Sequence, residues 1–193
     1  MTNGEMSFVT QNRFDYLPAR KGPRPKTLRG PLHIQYTGHG DLRFLKQLIA
    51  NVLSWPHIEP TAPLISHPTT IAVRLDEQAT AGDPSAFITA REFARVLLGA
   101  ATIYLTLPLV CAHWAIVRGW AEPHYLSSFG LMPAGAVVLY TPRDQSELEI
   151  SYLFFSESYH VARKLVCVDR EGASSGCQIC SELALKRPLP DCK

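Results

Sequence analysis

The 193-residue sequence lacks a strong excess of either charge, because 19 Lys and Arg oppose 17 Asp and Glu and leave a net charge of +2. So small a charge, without interleaved aromatic and basic residues, argues against a nucleic-acid partner. The first residues contain no apolar core of a secretory signal, so a cytoplasmic protein with free thiols is expected. Glycine-rich phosphate loops, Gly-x-Ser-x-Gly elbows and Cys–His nucleophile patterns are missing, which argues against the enzyme classes that use them.

Composition divides the chain into an arm, one domain and a tail. Residues 1–31 are irregular and rich in proline, and their basic residues are expected to lie on a solvated, extended linker, with a basic contact surface as the alternative. Residues 32–165 form the domain, and residues 166–193 form a tail that holds Cys167, Cys177, Cys180 and Cys192. Cys177 and Cys180 have zinc-site spacing, but a second such pair is missing, so reduced thiols outside the core are favoured over zinc.

One long apolar run allows two interpretations. Val96 to Val117 contains no Asp, Glu, Lys or Arg over 22 residues, which is long enough for a membrane span. Its polar residues and the central Pro108 instead favour a buried strand, Thr102 to Leu107, followed by a short helix that Pro108 opens. We predict the strand and helix, and membrane contact remains the alternative.

Periodicity and capping residues predict an α+β domain. Two main helices are predicted, Asp41 to Leu53 with Asp41 as the N-cap, and Gln145 to about Arg163 with an Asp144–Glu147 capping box. Strands are predicted at Ile71–Leu75, Phe93–Leu97, Thr102–Leu107 and Ala136–Thr141, although Ala86 to Leu98 also suits a helix. Without a repeated βαβ period, this order indicates a single α+β domain with a largely antiparallel sheet.

Five short motifs occur in the latter half of the chain. They are Arg-Glu-Phe-Ala at 91–94, Thr-Ile-Tyr-Leu-Thr-Leu at 102–107, Arg-Gly-Trp-Ala-Glu-Pro-His at 118–124, Leu-Tyr-Thr-Pro-Arg-Asp at 139–144 and Glu-Leu-Glu at 147–149. In this order and spacing the chain resembles the luciferase domain of luminous fungi, which many bacterial proteins share. The first predicted helix and the Trp55-Pro56-His57 turn fit the bacterial members more loosely.

The resemblance implies an oxygenase, of the monooxygenase type, for a small phenolic or pyrone-like substrate of secondary metabolism. Fungal luciferases oxygenate a hydroxylated styryl-pyrone with molecular oxygen, and they need no organic cofactor because the substrate's enolate supplies the electrons. The protein would deprotonate the substrate, exclude water and stabilise negative charge. The relatives have histidines where this chain has Arg95, Leu97 and Tyr104, so no metal is expected. In a hairpin these three side chains would meet on one face.

The motif residues that the chain retains supply the candidate site. His124 is either a general base or oxyanion donor, or a loop histidine bonded to the backbone. Arg143 either clamps an enolate or carboxylate or anchors the helix cap. The candidate catalytic residues are His124, Arg143 and Tyr140, and the candidate substrate-binding residues are Trp120, Arg91 and Tyr104. The predicted pocket is bordered by Trp120, His124, Tyr140 and Arg143.

Some of these residues also have structural interpretations. Trp120 is expected mainly in the core, and Arg91 is expected to pair with Glu92 at the sheet edge. Two rival functions therefore stay open: a catalytically inactive ligand-binding or interaction domain, and a membrane-associated accessory protein.

Overall fold

A six-stranded antiparallel sheet forms the centre of the computed structural model, which describes residues 14, 16–61 and 69–165. The strands, in chain order, are β1 (Thr27–Leu28), β2 (Ile34–Gln35), β3 (Ile58–Thr61), β4 (Thr70–Leu75), β5 (Glu92–Leu97), β6 (Thr102–Thr106), β7 (Ala121–Pro123) and β8 (Ala136–Leu139). The main sheet has the order β3-β4-β5-β6-β8-β7, and β1 pairs with β2 separately. All neighbours are antiparallel, so the predicted α+β class is confirmed.

In the described residues, three helices accompany the sheet: α1 (Leu42–Leu53), α2 (Leu109–Val117) and α3 (Gln145–Ala162). The predicted N-caps are confirmed, because the Asp41 side chain accepts from Arg43 N–H and the Asp144 side chain accepts from Glu147 N–H. The second hydrogen bond of the capping box, from the cap residue's N–H to Glu147, differs from the prediction. The Glu147 carboxylate accepts from Arg143 N–H at 2.9 Å, one residue before the cap.

The long apolar run is a strand followed by a helix, as predicted. The β5–β6 hairpin turns through 98–101, β6 enters the core, and Pro108 is the N-cap of α2. The helical alternative for Ala86 to Leu98 is wrong, since most of this segment leads into or forms β5. Within the described ranges, no helix is long and apolar enough to cross a membrane.

The two faces of the sheet have different surroundings. Ile103 and Leu105 of β6 lie in the main core with residues of α1 and α3, such as Leu48 and Phe155. Because side chains alternate along a strand, Tyr104 points to the opposite face. There a second, smaller cluster contains Ile88, Leu97, Tyr104 and Val138, with Ile34 and Met132 packed against it. The segments that carry Ile34 and Met132 therefore cover this second face.

A β-bulge changes which side chains reach the second face. Val73 pairs with Ala94 but Arg74 pairs with Glu92, so Phe93 is an extra residue in β5. Phe93 packs in the main core, and Glu92 returns to the side of Arg95, which it contacts. Without the bulge, Glu92 would point into the apolar core.

The N-terminal arm differs from the solvated linker that its composition predicts. Leu17 lies in the main core, and the Arg20 side chain is only 3% exposed against Glu147. Leu17 and Arg20 therefore pack on the domain, and the linker interpretation is wrong for Arg20. The four tail cysteines lie outside the described residues, whereas Cys111 on α2 is buried.

Candidate functional site

Two rows of side chains cross the second face of the sheet. Strand pairing places Arg95 opposite Tyr104, Tyr104 opposite Val138, and Val138 opposite Glu122. In the adjacent row, Thr106 lies opposite Ala136, whose carbonyl accepts from His124 N–H at 3.0 Å. The predicted meeting of Arg95, Leu97 and Tyr104 is confirmed by the Arg95–Tyr104 pairing and by the Leu97–Tyr104 packing.

Three buried polar atoms on this face have no hydrogen-bond partner among the described residues: the Tyr104 hydroxyl, the Thr106 hydroxyl and His124 Nε2. The Tyr104 and His124 rings meet edge to face, with centroids 4.5 Å apart. Ala136, the residue between Thr106 and His124, contributes only a methyl group. Because buried polar groups normally have partners, these three unpaired groups on one face of the sheet make it the candidate site.

The hydrogen bonds of His124 fix its tautomer. Its Nδ1 accepts from Leu126 N–H at 3.2 Å and so caps the short 3₁₀ helix Tyr125–Phe129. A neutral imidazole with an accepting Nδ1 carries its proton on Nε2. Burial, together with the charges of His33 and Arg95, lowers the pKa of His124 to about 4. At neutral pH, His124 is therefore an uncharged donor whose Nε2–H is unused.

Tyr104 and Arg95 complete a donor-rich patch. Burial raises the pKa of Tyr104 to about 12, and the nearby His33 backbone and the Arg95 charge offset only part of this shift. Tyr104 thus stays a phenol at neutral pH. Arg95 binds the Glu92 carboxylate through Nε at 2.6 Å and Nη2 at 2.9 Å, and this bonding raises its pKa. Together with the Thr106 hydroxyl and His124 Nε2–H, the Tyr104 hydroxyl gives the patch three neutral donors beside the Arg95–Glu92 ion pair.

Glu122 holds the covering segments to the sheet. Its carboxylate accepts from the Thr27 hydroxyl at 2.5 Å, from His33 Nε2–H and from the Tyr140 hydroxyl at 3.3 Å. Burial would raise the pKa of Glu122, but the hydrogen bonds from His33 and Thr27 outweigh it and leave the pKa lowered. His33 Nδ1 in turn accepts from Tyr125 N–H at 3.0 Å. The arm and the 3₁₀ helix are thus joined above the patch.

Arg20 connects the remaining candidates. It donates to Thr141 O and to Glu147 Oε2, both at 2.9 Å, and its guanidinium lies 5.4 Å from the Tyr140 ring centre and 6.0 Å from that of Trp120. Arg143 also binds Glu147. Trp120 packs in the main core, and its indole N–H donates to Pro18 O at 2.7 Å. These contacts give Arg143 and Trp120 structural partners.

Arg91 lies away from the patch. Its guanidinium donates to the carbonyls of Leu75, Asp76 and Ala79 and so holds the turn after β4. The expected Arg91–Glu92 ion pair does not form, because Glu92 pairs with Arg95. The contacts of Arg91 are those of a structural residue.

The predicted lining residues thus fall into two groups joined by Tyr140. His124 and Tyr104 share the donor patch, whereas Trp120 and Arg143 surround Arg20 and Glu147. A cavity of about 150 Å³ adjoins Thr106, and its described lining includes none of the four residues that were expected to border the pocket. In the described part of the chain, no group of three His, Cys, Asp or Glu side chains is placed to hold a metal ion.

Several residues of the site were not predicted from the sequence. Arg20 lies in the proline-rich arm and His33 lies directly after it, where no periodic pattern indicates which side chains turn inward. Glu122 and Thr106 lie within quoted motifs, and their alternation with apolar neighbours was a usable signal for the second face.

Comparison with known proteins gives one family match, within the described domain. Residues 91–154 match the family model of the luciferase domain. This match supports a luciferase-domain assignment for that part of the chain. No curated protein and no solved structure matches the chain significantly.

The luciferase-domain match runs from the start of β5 into α3. It includes Arg95, Tyr104, Thr106 and His124, the four residues of the donor patch. His33 and Arg20, which hold the covering arm, lie before it. The patch therefore belongs to the family region, whereas its cover is contributed from outside that region.

Proposed function

We propose that this protein is a luciferase-like oxygenase that binds a small phenolic or pyrone-like molecule as its oxyanion. The observation that carries the proposal is the group of unpaired donors on the second face of the sheet. Tyr104 O–H, Thr106 O–H and His124 Nε2–H lack partners in the described residues, and Arg95 lies beside Tyr104.

Charge and burial favour an oxygen anion over a cation at this patch. Neutral donors held in a buried site stabilise negative charge strongly, because they need no reorganisation when the charge arrives. Arg95 lies opposite Tyr104, and its charge lowers the pKa of both Tyr104 and His124, while its partner Glu92 offsets part of that charge. An enolate or phenolate oxygen fits this environment.

The same geometry supports a role for His124 as a hydrogen-bond donor. Since its Nδ1 is held by Leu126 N–H, its Nε2 is a donor and not a base. The carboxylates of Glu92 and Glu122 are occupied by Arg95, Thr27 and His33. We therefore assign His124 to oxyanion stabilisation. The preferred substrate is an acidic enol that is already ionised at neutral pH.

The chemistry then follows from the substrate. The enolate carbon supplies the electron pair, dioxygen accepts it, and a carbon–oxygen bond forms to give a peroxide. No organic cofactor is needed for this step, in keeping with the expectation for the family. The protein contributes binding, exclusion of water and stabilisation of the oxyanion. Tyr140 and Arg143 support the site through Glu122 and Glu147, and Trp120 and Arg91 hold the fold.

The second candidate function is ligand binding without turnover. It is favoured by the absence of a free base among the described residues of the patch. Both functions require the same oxyanion contacts, so a binding measurement alone does not separate them.

The test is to titrate the purified protein with a hydroxylated pyrone and to record the pyrone absorbance and dissolved oxygen together. The proposal predicts saturable binding and oxygen consumption that is stoichiometric with pyrone loss. Tyr104→Phe and His124→Ala should each weaken binding by about tenfold, which corresponds to one hydrogen bond to a charged group. Tyr152→Phe is the matched control, because Tyr152 bonds Gln47 O and Asn51 far from the patch.

Binding without oxygen consumption would support the inactive binding domain and contradict the oxygenase. Unchanged affinity in both patch variants would contradict the location of the site.

A further inference from the structure

The donor patch is closed in the free protein. Tyr104, Thr106 and His124 are 2%, 3% and 1% exposed, so a ligand reaches their unpaired atoms only if part of the cover moves. The hairpin of β1 and β2 is one part of that cover. Its His33 ring meets the His124 ring with centroids 5.5 Å apart, and its Ile34 packs against the small cluster that contains Tyr104. Access to the patch therefore depends on whether this hairpin lifts.

The hairpin and the residues at its base, 25–38, form one unit, which we call the flap. Tyr36 N–H donates to Lys26 O at 3.0 Å, and Lys26 N–H donates to Thr37 Oγ1 at 2.8 Å. Beyond these bonds, β1 pairs with β2 in a sheet of their own. Because its strands are bonded to each other, the flap can move as one piece.

Both ends of the flap are fixed at Arg143. Before the flap, Lys21 O accepts from Arg143 Nη2 at 2.5 Å. After it, Gly40 lies so close that a Cβ atom there would be 2.4 Å from Arg143 Cα. Gly22 and Gly38 lie between these fixed points and the flap strands, with φ of 82° and 68°, a region that glycine adopts without steric cost. The two glycines are therefore suitable hinge positions.

Side chains join the flap to the main sheet in the described residues. Glu122 on β7 accepts from the Thr27 hydroxyl and from His33 Nε2–H, and Gln35 N–H donates to Thr102 Oγ1 at 3.0 Å. The backbone ladder of the six-stranded sheet does not include β1 or β2. Lifting the flap therefore breaks a few side-chain bonds and leaves that ladder intact.

We propose that residues 25–38 are a flap that lifts about Gly22 and Gly38 to admit the substrate to the donor patch, and that Glu122 holds it closed. The inference rests on the proposed function, since it concerns entry to that same site. A flap that closes again over a bound enolate also excludes water from the oxyanion contacts.

Hydrogen exchange of the ¹⁵N-labelled full chain at pH 7, without ligand, measures the opening. The reporters are the amides of Gln35 and Tyr125, whose hydrogen bonds join the flap to its surroundings. The reference is the Tyr140 amide, which donates to Trp120 O at 2.9 Å in the body of the domain. Both reporters should show the same opening equilibrium and exchange on the order of 100-fold faster than the reference, after correction for intrinsic rates, because the flap opens without global unfolding.

Three variants separate lifting of the flap from unfolding of the domain. Thr27→Val removes one hydrogen bond to the Glu122 carboxylate and should speed exchange at both reporters about tenfold. Thr37→Val is the matched control, because the Thr37 hydroxyl accepts from Lys26 N–H inside the flap, and it should leave the reporters unchanged. Ile49→Val weakens the main core and should speed exchange at the reference amide about fivefold while leaving the reporters unchanged.

Reporters that exchange as slowly as the reference, or that respond to Ile49→Val as the reference does, would show that the flap opens only when the domain unfolds. Either result would overturn the proposal, and neither depends on a ligand.

Stopped-flow mixing with a hydroxylated pyrone gives the second measurement. Because the rate of entry scales with the open population, Thr27→Val should raise the association rate constant about tenfold, and Thr37→Val should leave it unchanged. Saturable pyrone binding at an unchanged rate in Thr27→Val would overturn the flap and leave the proposed function standing. The predicted exchange pattern in a protein that binds no pyrone would support the flap and contradict the proposed function.

Discussion

Substitution by Phe should change the stability of the protein in opposite directions at two buried tyrosines on the second face of the sheet. Tyr104 and Tyr140 are each 2% exposed. The Tyr140 hydroxyl donates to Glu122 at 3.3 Å, whereas the Tyr104 hydroxyl has no regular partner among the described residues. Replacement by Phe removes only the hydroxyl in both cases, so the pair isolates the cost of an unpaired polar atom.

The magnitudes follow from hydrogen-bond energetics. A hydrogen bond to a charged group contributes about 1.5–3 kcal/mol, and the Tyr140 bond is long, so Tyr140→Phe should cost about 1.5 kcal/mol. Burying an unpaired hydroxyl costs about 1–3 kcal/mol, and the contact of the Tyr104 hydroxyl with the His33 backbone offsets part of this cost, so Tyr104→Phe should stabilise the free protein by about 1 kcal/mol. In a chain of this length, the expected Tm changes are a fall of about 3–6 °C and a rise of about 2–4 °C.

Urea unfolding followed by circular dichroism measures both changes at pH 7 without ligand. The slope of the unfolding free energy against urea should be unchanged in both variants, since neither alters the surface exposed on unfolding. If Tyr104→Phe destabilises the protein as much as Tyr140→Phe does, the Tyr104 hydroxyl has a good partner in the free protein. The argument for a ligand site at that atom would then be refuted.

Three further predictions concern His124, Glu147 and Arg91. Burial lowers the pKa of His124 to about 4, so the unfolded chain binds a proton that the folded chain does not between about pH 6.5 and 4. Stability should therefore fall by about 2–3 kcal/mol as the pH decreases through this window, and urea unfolding of His124→Gln should lack that loss; an equal loss in the variant would contradict the assignment. Glu147→Gln leaves the buried Arg20 without its counter-charge and should destabilise the protein by about 3 kcal/mol, whereas the exposed Glu149→Gln on the same helix should change stability little. Arg91→Ala removes three hydrogen bonds to carbonyls and should lower stability by about 2 kcal/mol with pyrone affinity unchanged; a specific loss of affinity would return Arg91 to the binding site.

The local elements of the fold were predictable because their signals are local. Asp41 and Asp144 cap their own helices, and the apolar stripe of α1 follows the helical period. Pro108 separates β6 from α2 because it cannot continue a strand ladder and suits a helix start. The β5–β6 pairing then brought Arg95 and Tyr104 together as expected.

The site's cover was not predictable, because it depends on contacts between distant segments. Arg20 bonds Glu147, and His33 bonds Glu122 and Tyr125, each across a long stretch of sequence. Composition alone suggested a solvated linker for this arm. The bulge at Phe93 also has no local signal, yet it decides that Glu92 faces Arg95. Arg20 contacts Trp120 and Glu147, and Arg143 binds the same Glu147. These contacts hold Trp120 and Arg143 apart from His124.

The most direct measurement of the central claim is the NMR signal of the His124 Nε2 proton during titration with a hydroxylated pyrone. In the free protein this proton has no regular acceptor in the described residues. If the patch binds an oxyanion, the signal should move downfield with saturation and exchange more slowly with water, because the proton gains a charged acceptor. A pyrone that binds saturably without shifting this signal would contradict the account.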